Sequence, residues 1–478
     1  MAEGMHREVQ VEPLPPARLA AQLEPHRAER LRGCAESVGR LLGDRRVWNV
    51  SATTSGDGVA EMLYALLGYA RGAGVDARWL LLEGDPEFTR ITRRIHNFLH
   101  GSVGDADRLG EPERRRYEAV MAANLTLLSE RVRPGDIVLL HDAPTAGLAP
   151  GIRDLGGHVV WRSHGGADFG NRATADAWAF LRPYVEKADA VVFSRAEYAP
   201  AWVDRSRGFV IAPSLDPFSP KNRELSDEQV AATLRAAGIV SGNVGDRYRD
   251  FTRRDGSTGH VRSHSDVIMG GEMLPIGVRY VLQVGRWDRL KDPLGVLTGF
   301  VSALGTLPAD VHLVLAGPRP ADVPSDREGA QVAAECLAAW QRLSAPLRRR
   351  VHLCALPTDD LEENAHIVNA LQRRADLVVQ KSLAEGFGLT VTESMWKGRA
   401  VLSTRVGGIQ DQIVDDESGL LLDDPRDLDA FSAAVALIME DAELRAELGA
   451  AAHERVRDRY LGDRQLGQYV ELFTELLD

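Results

Sequence analysis

The run Lys381-Ser382-Leu383-Ala384-Glu385-Gly386-Phe387-Gly388-Leu389-Thr390-Val391-Thr392-Glu393 follows a strand-like stretch, Ala375-Asp376-Leu377-Val378-Val379, and opens a helical pattern. Strand, glycine turn and helix in that order form the repeating unit of a doubly wound parallel sheet. Gly386 and Gly388 let the backbone approach a ligand where a Cβ would collide. A helix beginning there presents free N–H groups and the positive end of its dipole to an anion. Glu385 and Glu393 lie eight positions apart. That spacing predicts one carboxylate at the mouth of the turn and the other two helical turns deeper, on nearly the same face. Amides for a diphosphate and carboxylates for sugar and ribose hydroxyls suit a sugar nucleotide. Spacing alone fits two surface glutamates on an ordinary turn as well; the Gly-Phe-Gly insert and the upstream residues tip the balance.

Outward from this run, short apolar stretches alternate with helical patterns along the whole chain. Strands are expected at Val47–Val50, Trp79–Leu82, Ile137–Leu140, Val159–Arg162, Ala190–Phe193 and Phe209–Ala212, and again at Tyr280–Val284, His312–Ala316, His352–Ala355, Leu377–Gln380, Ala400–Ser403 and Gly419–Leu422. Between the two series, Pro213–Gly277 reads as strand-free, a linker followed by an inserted loop whose role is open. The expected fold class is therefore α/β, with two Rossmann-like, doubly wound domains facing a cleft, residues 1–220 and 221–462. Ligands of such sheets bind outside the carboxyl ends of the strands.

A chain of 478 residues is too long for one ordinary core. With 57 basic against 69 acidic residues the net charge is −12, which argues against a nucleic-acid partner. Hydrophobic residues make up 44% and charged ones 26%, as in a soluble globular enzyme. No apolar run has membrane-spanning length and the N-terminus lacks a signal-peptide core, so the expected location is the cytoplasm, away from membranes. Cys34, Cys336 and Cys354 are unpatterned and suggest neither a disulfide framework nor a metal cluster.

After the strand Tyr280–Val284 comes a loop with Arg286 and Lys291, and Asp292-Pro293 makes a helix start. Two fixed cations there can neutralise a diphosphate, the arginine by forked hydrogen bonds and the lysine as a point charge. In the first half, Ser51–Met62 joins the first strand to a long amphipathic pattern, and Gly56 and Gly58 give a tight turn with free amides. It is neither a full dinucleotide fingerprint nor a Walker A motif. His141, followed by Asp142, and His164 end predicted strands. His164 is placed to meet a donor sugar or the departing charge, and His141–Asp142 an acceptor hydroxyl. His96 and His100 have helical i,i+4 spacing but no third ligand, so they are read as helix-face residues.

These residues resemble family 4 of the retaining glycosyltransferases, the glycosyl transferases group 1. The donor half resembles it through QKSLAEGFGLTVTESMWKGRAVLSTRVGGIQDQIVDDESGLLL, with the E-x7-E signature. HDAPTAGL, VVWRSHGGAD, APSLDPFSPKN, QVGRWDRLKDP and ITRRIHNFLHG narrow the similarity to the trehalose glycosyltransferring synthases and the retaining trehalose phosphorylases. The resemblance spans roughly residues 47–425. It implies a GT-B fold with a final helix, 463–478, crossing back to the N-terminal domain. It also implies glucose transfer from a nucleoside-diphosphate-glucose to a sugar acceptor, glucose itself, giving trehalose or a close α-linked analogue. Arg286, Lys291, Glu385 and His164 then form the catalytic set. Gly58, Gly386, Phe387, Gly388, Leu389 and Glu393 hold the donor, with Glu393 on the ribose, while His141 and Asp142 face the acceptor. No metal and no tightly bound cofactor is implied, and a homodimer is a family-level expectation.

The acceptor side departs from the pattern: the family's His-Asp-Pro-Gln is His141-Asp142-Ala143-Pro144 here, and Gly165-Gly166-Ala167-Asp168 follows His164. Those departures give weight to a transferase acting on an aminocyclitol or other secondary-metabolite acceptor, and a phosphorylase stays open because the same clamp would hold free phosphate. A non-catalytic sugar-nucleotide sensor would have little use for the full set of Arg286, Lys291, Glu385 and Glu393. The nucleotide base is not legible in these residues.

Overall fold

The computed structural model describes residues 8–53, 58–103, 108–242, 249–324 and 326–478. The chain forms two compact units, one of Met1–Leu215 with Tyr460–Asp478 and one of Asp216–Arg459. Both are built on a seven-stranded, mostly parallel sheet with helices on its two faces, the pair of Rossmann-like units expected from the sequence.

In the first unit the strands are β1 (Glu8–Val9), β2 (Val47–Ser51), β3 (Ala77–Leu81), β4 (Ile137–His141), β5 (His158–Ser163), β6 (Ala190–Phe193) and β7 (Gly208–Val210). Their order across the sheet is β1-β3-β2-β4-β5-β6-β7, with β1 antiparallel to the rest. Helices cover both faces, which is why strands such as Ile137-Val138-Leu139-Leu140 are apolar throughout. Trp48, Val50, Leu140 and Trp161 pack on one face, and Trp79, Leu139, Val160 and Val192 on the other. Asn49, His141 and Arg162 are among the buried polar side chains that interrupt this pattern near the carboxyl ends.

The second unit holds β8 (Asp250–Thr252), β9 (Thr258–His260), β10 (Ile268–Gly270), β11 (Arg279–Val284), β12 (Val311–Pro318), β13 (Val351–Leu356), β14 (Leu377–Gln380), β15 (Ala400–Thr404) and β16 (Leu420–Leu422). Its main sheet runs β10-β13-β12-β11-β14-β15-β16. Strand order thus reverses between β11 and β14 here, and between β2 and β4 in the first unit. Crevices for ligands open at such switch points.

All twelve strands expected from the sequence are present, but Pro213–Gly277 is not strand-free. β8 and β9 form a hairpin, and β10 adds an antiparallel edge to β13. These strands are three residues long and interrupted by glycine and polar residues, so they carry no alternation to read. Tertiary contacts form them instead. Phe251 stacks on His366 at 4.8 Å between ring centres, and Arg262 binds the buried Glu363 carboxylate, with its Nε donating at 2.7 Å.

The last helix, Gly462–Leu477, packs in the first unit against the helix Pro25–Leu42. Arg27 and Asp463 make a forked ion pair there, at 2.9 and 2.6 Å, with both side chains buried. Removing one partner of such a pair strands the other charge, at a cost of about 3–5 kcal/mol. Asp463→Ala is therefore expected to lower the melting temperature and expose the C-terminal helix to limited proteolysis; unchanged melting and cleavage would refute this.

Candidate functional site

At the switch point of the second unit, the loops that leave β11 and β14 are fastened to each other. The backbone N–H of Leu383 donates to the carbonyl of Leu290 at 2.6 Å. Lys381, almost wholly buried, forms an ion pair with Asp292. Asp292 sits in the left-handed region (φ 47°) and its carboxylate also accepts from Gly295 N–H, capping the helix Pro293–Ala303. These contacts bring the neighbouring Lys291 to Glu385, ammonium to carboxylate at 2.7 Å. Ser382 Oγ and Gln380 Nε2 also donate to the same Glu385 oxygen, at 3.2 and 3.4 Å.

The glycine turn is pinned from beneath. Gly408 N–H donates to Gly386 O at 3.1 Å, Gln412 Nε2 to Phe387 O at 2.5 Å, and Thr404 Oγ1 to Ser382 O at 2.6 Å. Gly388 caps the helix Leu389–Trp396 at φ 85°, a conformation that favours glycine. Buried polar atoms cluster below: Gln283 Oε1, Gln380 Oε1 and Ser403 Oγ have no hydrogen-bond partner among the described residues. Unmet buried groups cost about 1–3 kcal/mol each, and natural proteins keep them chiefly where function requires it.

Of the residues singled out in sequence, Lys291, Glu385, Gly386, Phe387, Gly388 and Leu389 thus come together. Arg286 stands in the same loop as Lys291, half-exposed, and pairs with Asp288 at 3.2 Å. Glu393 is placed differently from the spacing argument. The helix starts only at Leu389, so Glu393 lies in its second turn, and Glu385 precedes the helix altogether. Glu393 is buried; one oxygen meets Lys221 at 2.9 Å and the other accepts from Gln372 at 3.2 Å. Lys221 and Gln372 escaped the sequence reading. Lys221 belongs to the Ser219-Pro220-Lys221-Asn222 segment, whose prolines read as linker; a basic residue between proline and asparagine was the one available signal.

In the first unit Gly58 heads the helix Gly58–Gly72; residues 54–57, with Gly56, lie outside the described residues. His141 and His164, assigned to separate roles in sequence, are hydrogen-bonded to each other, Nδ1 to Nε2, at 2.9 Å. His141 Nε2 meets Asn49 Oδ1 at 2.9 Å, and Arg162 Nε donates to His164 Nδ1 at 3.3 Å. Asp142 adopts φ 60°, and its carboxylate accepts the His164 backbone N–H at 2.7 Å. Asn49 and Arg162 were missed as site residues, although a polar side chain inside an apolar strand is itself a signal. His100 is buried and His96 exposed on one helix, their rings 4.4 Å apart. Among the described residues no cluster of His, Cys, Asp and Glu is arranged to hold a metal ion, and no helix is long and apolar enough to cross a membrane.

Burial pushes the His141 pKa down from 6.5 to about 3, with the Arg162 charge adding to the effect. His164 is held well below its ordinary value by burial first, then by Arg162 and His141.

Residues 49–200 match the family described as trehalose synthase, N-terminal domain, and residues 273–455 match glycosyl transferases group 1. A trehalose synthase of Rubrobacter xylanophilus is 33% identical over 454 residues, 92% of this chain and 93% of its own. One from Pyrococcus horikoshii is 31% identical over 443 residues, 92% of each. A trehalose phosphorylase of Pleurotus pulmonarius is 24% identical over 485 residues, 95% of this chain and 61% of its own. Among solved structures, the sucrose-phosphate synthase of Thermosynechococcus elongatus has a TM-score of 0.63 at 16% identity, covering 90% of this chain and 98% of that one. An E. coli structure titled trehalose-6-phosphate bound with UDP-2-fluoro glucose also scores 0.63, at 13% identity, with 90% and 99% covered.

Two outcomes follow. A Cβ on Gly388 would lie 3.0 Å from Ile409 Cγ1 and 3.2 Å from Glu385 Cγ. Gly388→Ala should therefore cost about 1–3 kcal/mol and displace Glu385; a variant with parental melting and parental nucleoside-diphosphate affinity would sink this. Acid is the second probe. Above pH 6.5 both histidines are neutral folded or unfolded; below it the unfolded chain takes protons that the folded pair refuses. Stability should fall as pH drops from 6.5 towards about 3, and His141→Asn should flatten that fall in a pH series of thermal melts.

Proposed function

Because the chain belongs to the trehalose synthase family of group 1 glycosyl transferases, we propose that it moves glucose from a nucleoside-diphosphate-glucose to a sugar acceptor, glucose itself, with retention at the anomeric carbon. That it is a hexosyltransferase with a GT-B fold is the firm ground of this reading. The observation that carries the finer claim is the Lys291–Glu385 contact of 2.7 Å beside the glycine turn, at the strand-order reversal of the second unit.

In this reading the diphosphate lies along Arg286, Lys291 and the amides at Gly388–Leu389, and Glu385 accepts hydroxyl hydrogens of the transferred sugar. Glu393, held by Lys221 and Gln372, serves the ribose. Within the first unit, the family resemblance assigns Gly58 and His164 to the donor and His141 and Asp142 to the acceptor. No carboxylate nominates itself as a nucleophile for double displacement. The family resemblance implies a front-face route, and the transfer is assigned to it. The bond from the anomeric carbon to the phosphate oxygen breaks as the bond to the acceptor oxygen forms on the same face. The acceptor proton passes to the departing phosphate. Catalysis then rests on positioning and on fixed cations that stabilise the growing phosphate charge.

A panel of nucleotide-glucose donors against glucose and related acceptors, read by product mass and anomeric NMR, tests the assignment. An α-linked disaccharide and free nucleoside diphosphate are expected. Glucose 1-phosphate released from trehalose and inorganic phosphate, with no reaction with nucleoside diphosphate, would replace this reading by a phosphorylase. Lys291→Ala should lower kcat by roughly 10²–10³-fold; unchanged turnover would remove the phosphate clamp from the mechanism.

A further inference from the structure

We propose that Arg162 and Asn49 are positioning residues that fix the protons of the His141–His164 pair in one neutral, closed chain of hydrogen bonds, so that His164 is held in a single form and takes no part in proton transfer. This deepens the functional reading above and rests on His164 lying beside the donor sugar.

The argument begins at the buried end. Arg162 is fully buried on β5, beside His141 on β4 in sheet register. Its Nη1 donates to the hydroxyl of Tyr469 and its Nη2 to the carbonyl of Ile211 at 3.0 Å. A guanidinium keeps its charge and has no acceptor atom. The Nε–H that reaches His164 Nδ1 at 3.3 Å can therefore only donate, and Nδ1 must carry the lone pair. A neutral imidazole with a bare Nδ1 holds its hydrogen on Nε2. That hydrogen points at His141 Nδ1, 2.9 Å away, which must accept. The same rule puts the His141 hydrogen on Nε2, facing Asn49 Oδ1 at 2.9 Å.

One fixed donor thus sets three hydrogen bonds in one direction, and the Asn49 amide is oriented as the chain demands. Reversal is excluded for a neutral pair. If Asn49 turned its NH2 to His141, His141 would donate from Nδ1 and His164 would need two lone pairs, which no neutral imidazole has. Protonation is opposed by burial and by the Arg162 charge. The other groups facing the pair are Asp142, whose carboxylate accepts the His164 backbone N–H, and, behind Arg162, Tyr469 and Arg464 of the last helix. His164 therefore has both ring nitrogens engaged within the protein, Nδ1 by Arg162 and Nε2–H by His141, and has no ring proton to give or take.

Histidine ring nitrogen NMR on the full chain tests this without substrate, with His164→Asn and His141→Asn spectra used for assignment. Both rings are expected as neutral Nε2–H forms at pH 7, persisting to pH 5. A His164 ring with its hydrogen on Nδ1, a tautomer mixture or an imidazolium would overturn the proposal. Arg162→Met, if folded, should turn His164 into a tautomer mixture, and a single Nε2–H form there would overturn the role of Arg162. Asn49→Asp keeps shape and acceptor but adds a charge that favours the His141 imidazolium, whose Nδ1–H would then oppose the His164 Nε2–H. With folding checked by circular dichroism, that variant should lose turnover on acidification below pH 6, by about tenfold per unit once under the raised pKa, where the parent does not. A pH profile superimposable on the parent's would overturn the role of Asn49. The spectra stand or fall without turnover, so failure of the glucosyl-transfer reading is distinguishable from failure of the relay.

Discussion

The ion pair between Lys381 and Asp292 joins the two loops on which the central residues of the second unit's site stand. β11 and β14 are parallel neighbours in the sheet, yet the chain goes on from them to strands on opposite sides, so nothing in the strand ladder holds their loops together. Taking two charges out of water costs several kcal/mol each, which only close geometry and further hydrogen bonds offset. Asp292 supplies both, since its carboxylate also caps a helix from a left-handed residue. The Leu383–Leu290 backbone bond adds a second tie. Lys291 and Glu385 meet because their loops are registered by these contacts, not because two exposed charges found each other.

The two units solve different electrostatic problems. In the second, charges are kept and paired: Lys291 with Glu385, Lys221 with Glu393, Arg286 with Asp288. Such groups suit a ligand that brings its own charge. In the first, Arg162 supplies a charge that never leaves, and the neighbouring histidines stay neutral through burial first and that charge second. Burial works in opposite senses here. It suppresses ionisation of the histidines and strengthens hydrogen bonds among the groups that remain ionised.

The strand–turn–helix units were legible in sequence because long apolar runs between helical patterns have few other meanings. The glycine turn and the Arg286–Lys291 loop were legible because backbone geometry and charge are local properties. What escaped was non-local. The strands β8 to β10 exist through contacts with distant helices, as Phe251 on His366 shows. Lys221 reaches Glu393 from 172 positions away, since 393 − 221 = 172. The separate roles read for His141 and His164 could not anticipate a hydrogen bond between them, because register between β4 and β5 decides it. Glu393 was set a turn too deep because the turn after Glu385 consumes three residues before the helix begins.

The Lys291–Glu385 contact has a consequence for how the proposed donor would be chosen. Lys291 already has a counter-charge at 2.7 Å, so a phosphate must compete with Glu385 for it. A phosphate arriving alone draws the ammonium away from the carboxylate, to which Ser382 and Gln380 donate at the longer distances of 3.2 and 3.4 Å. A sugar arriving alone finds Glu385 already engaged. When both are joined in one molecule, the diphosphate takes the lysine while sugar hydroxyls donate to the released carboxylate. On the proposed function, each half of the ligand would offset the cost that the other imposes, and binding energy would be realised in full for the intact sugar nucleotide. An ion pair of modest worth by itself thereby becomes a discriminator between the whole substrate and its parts.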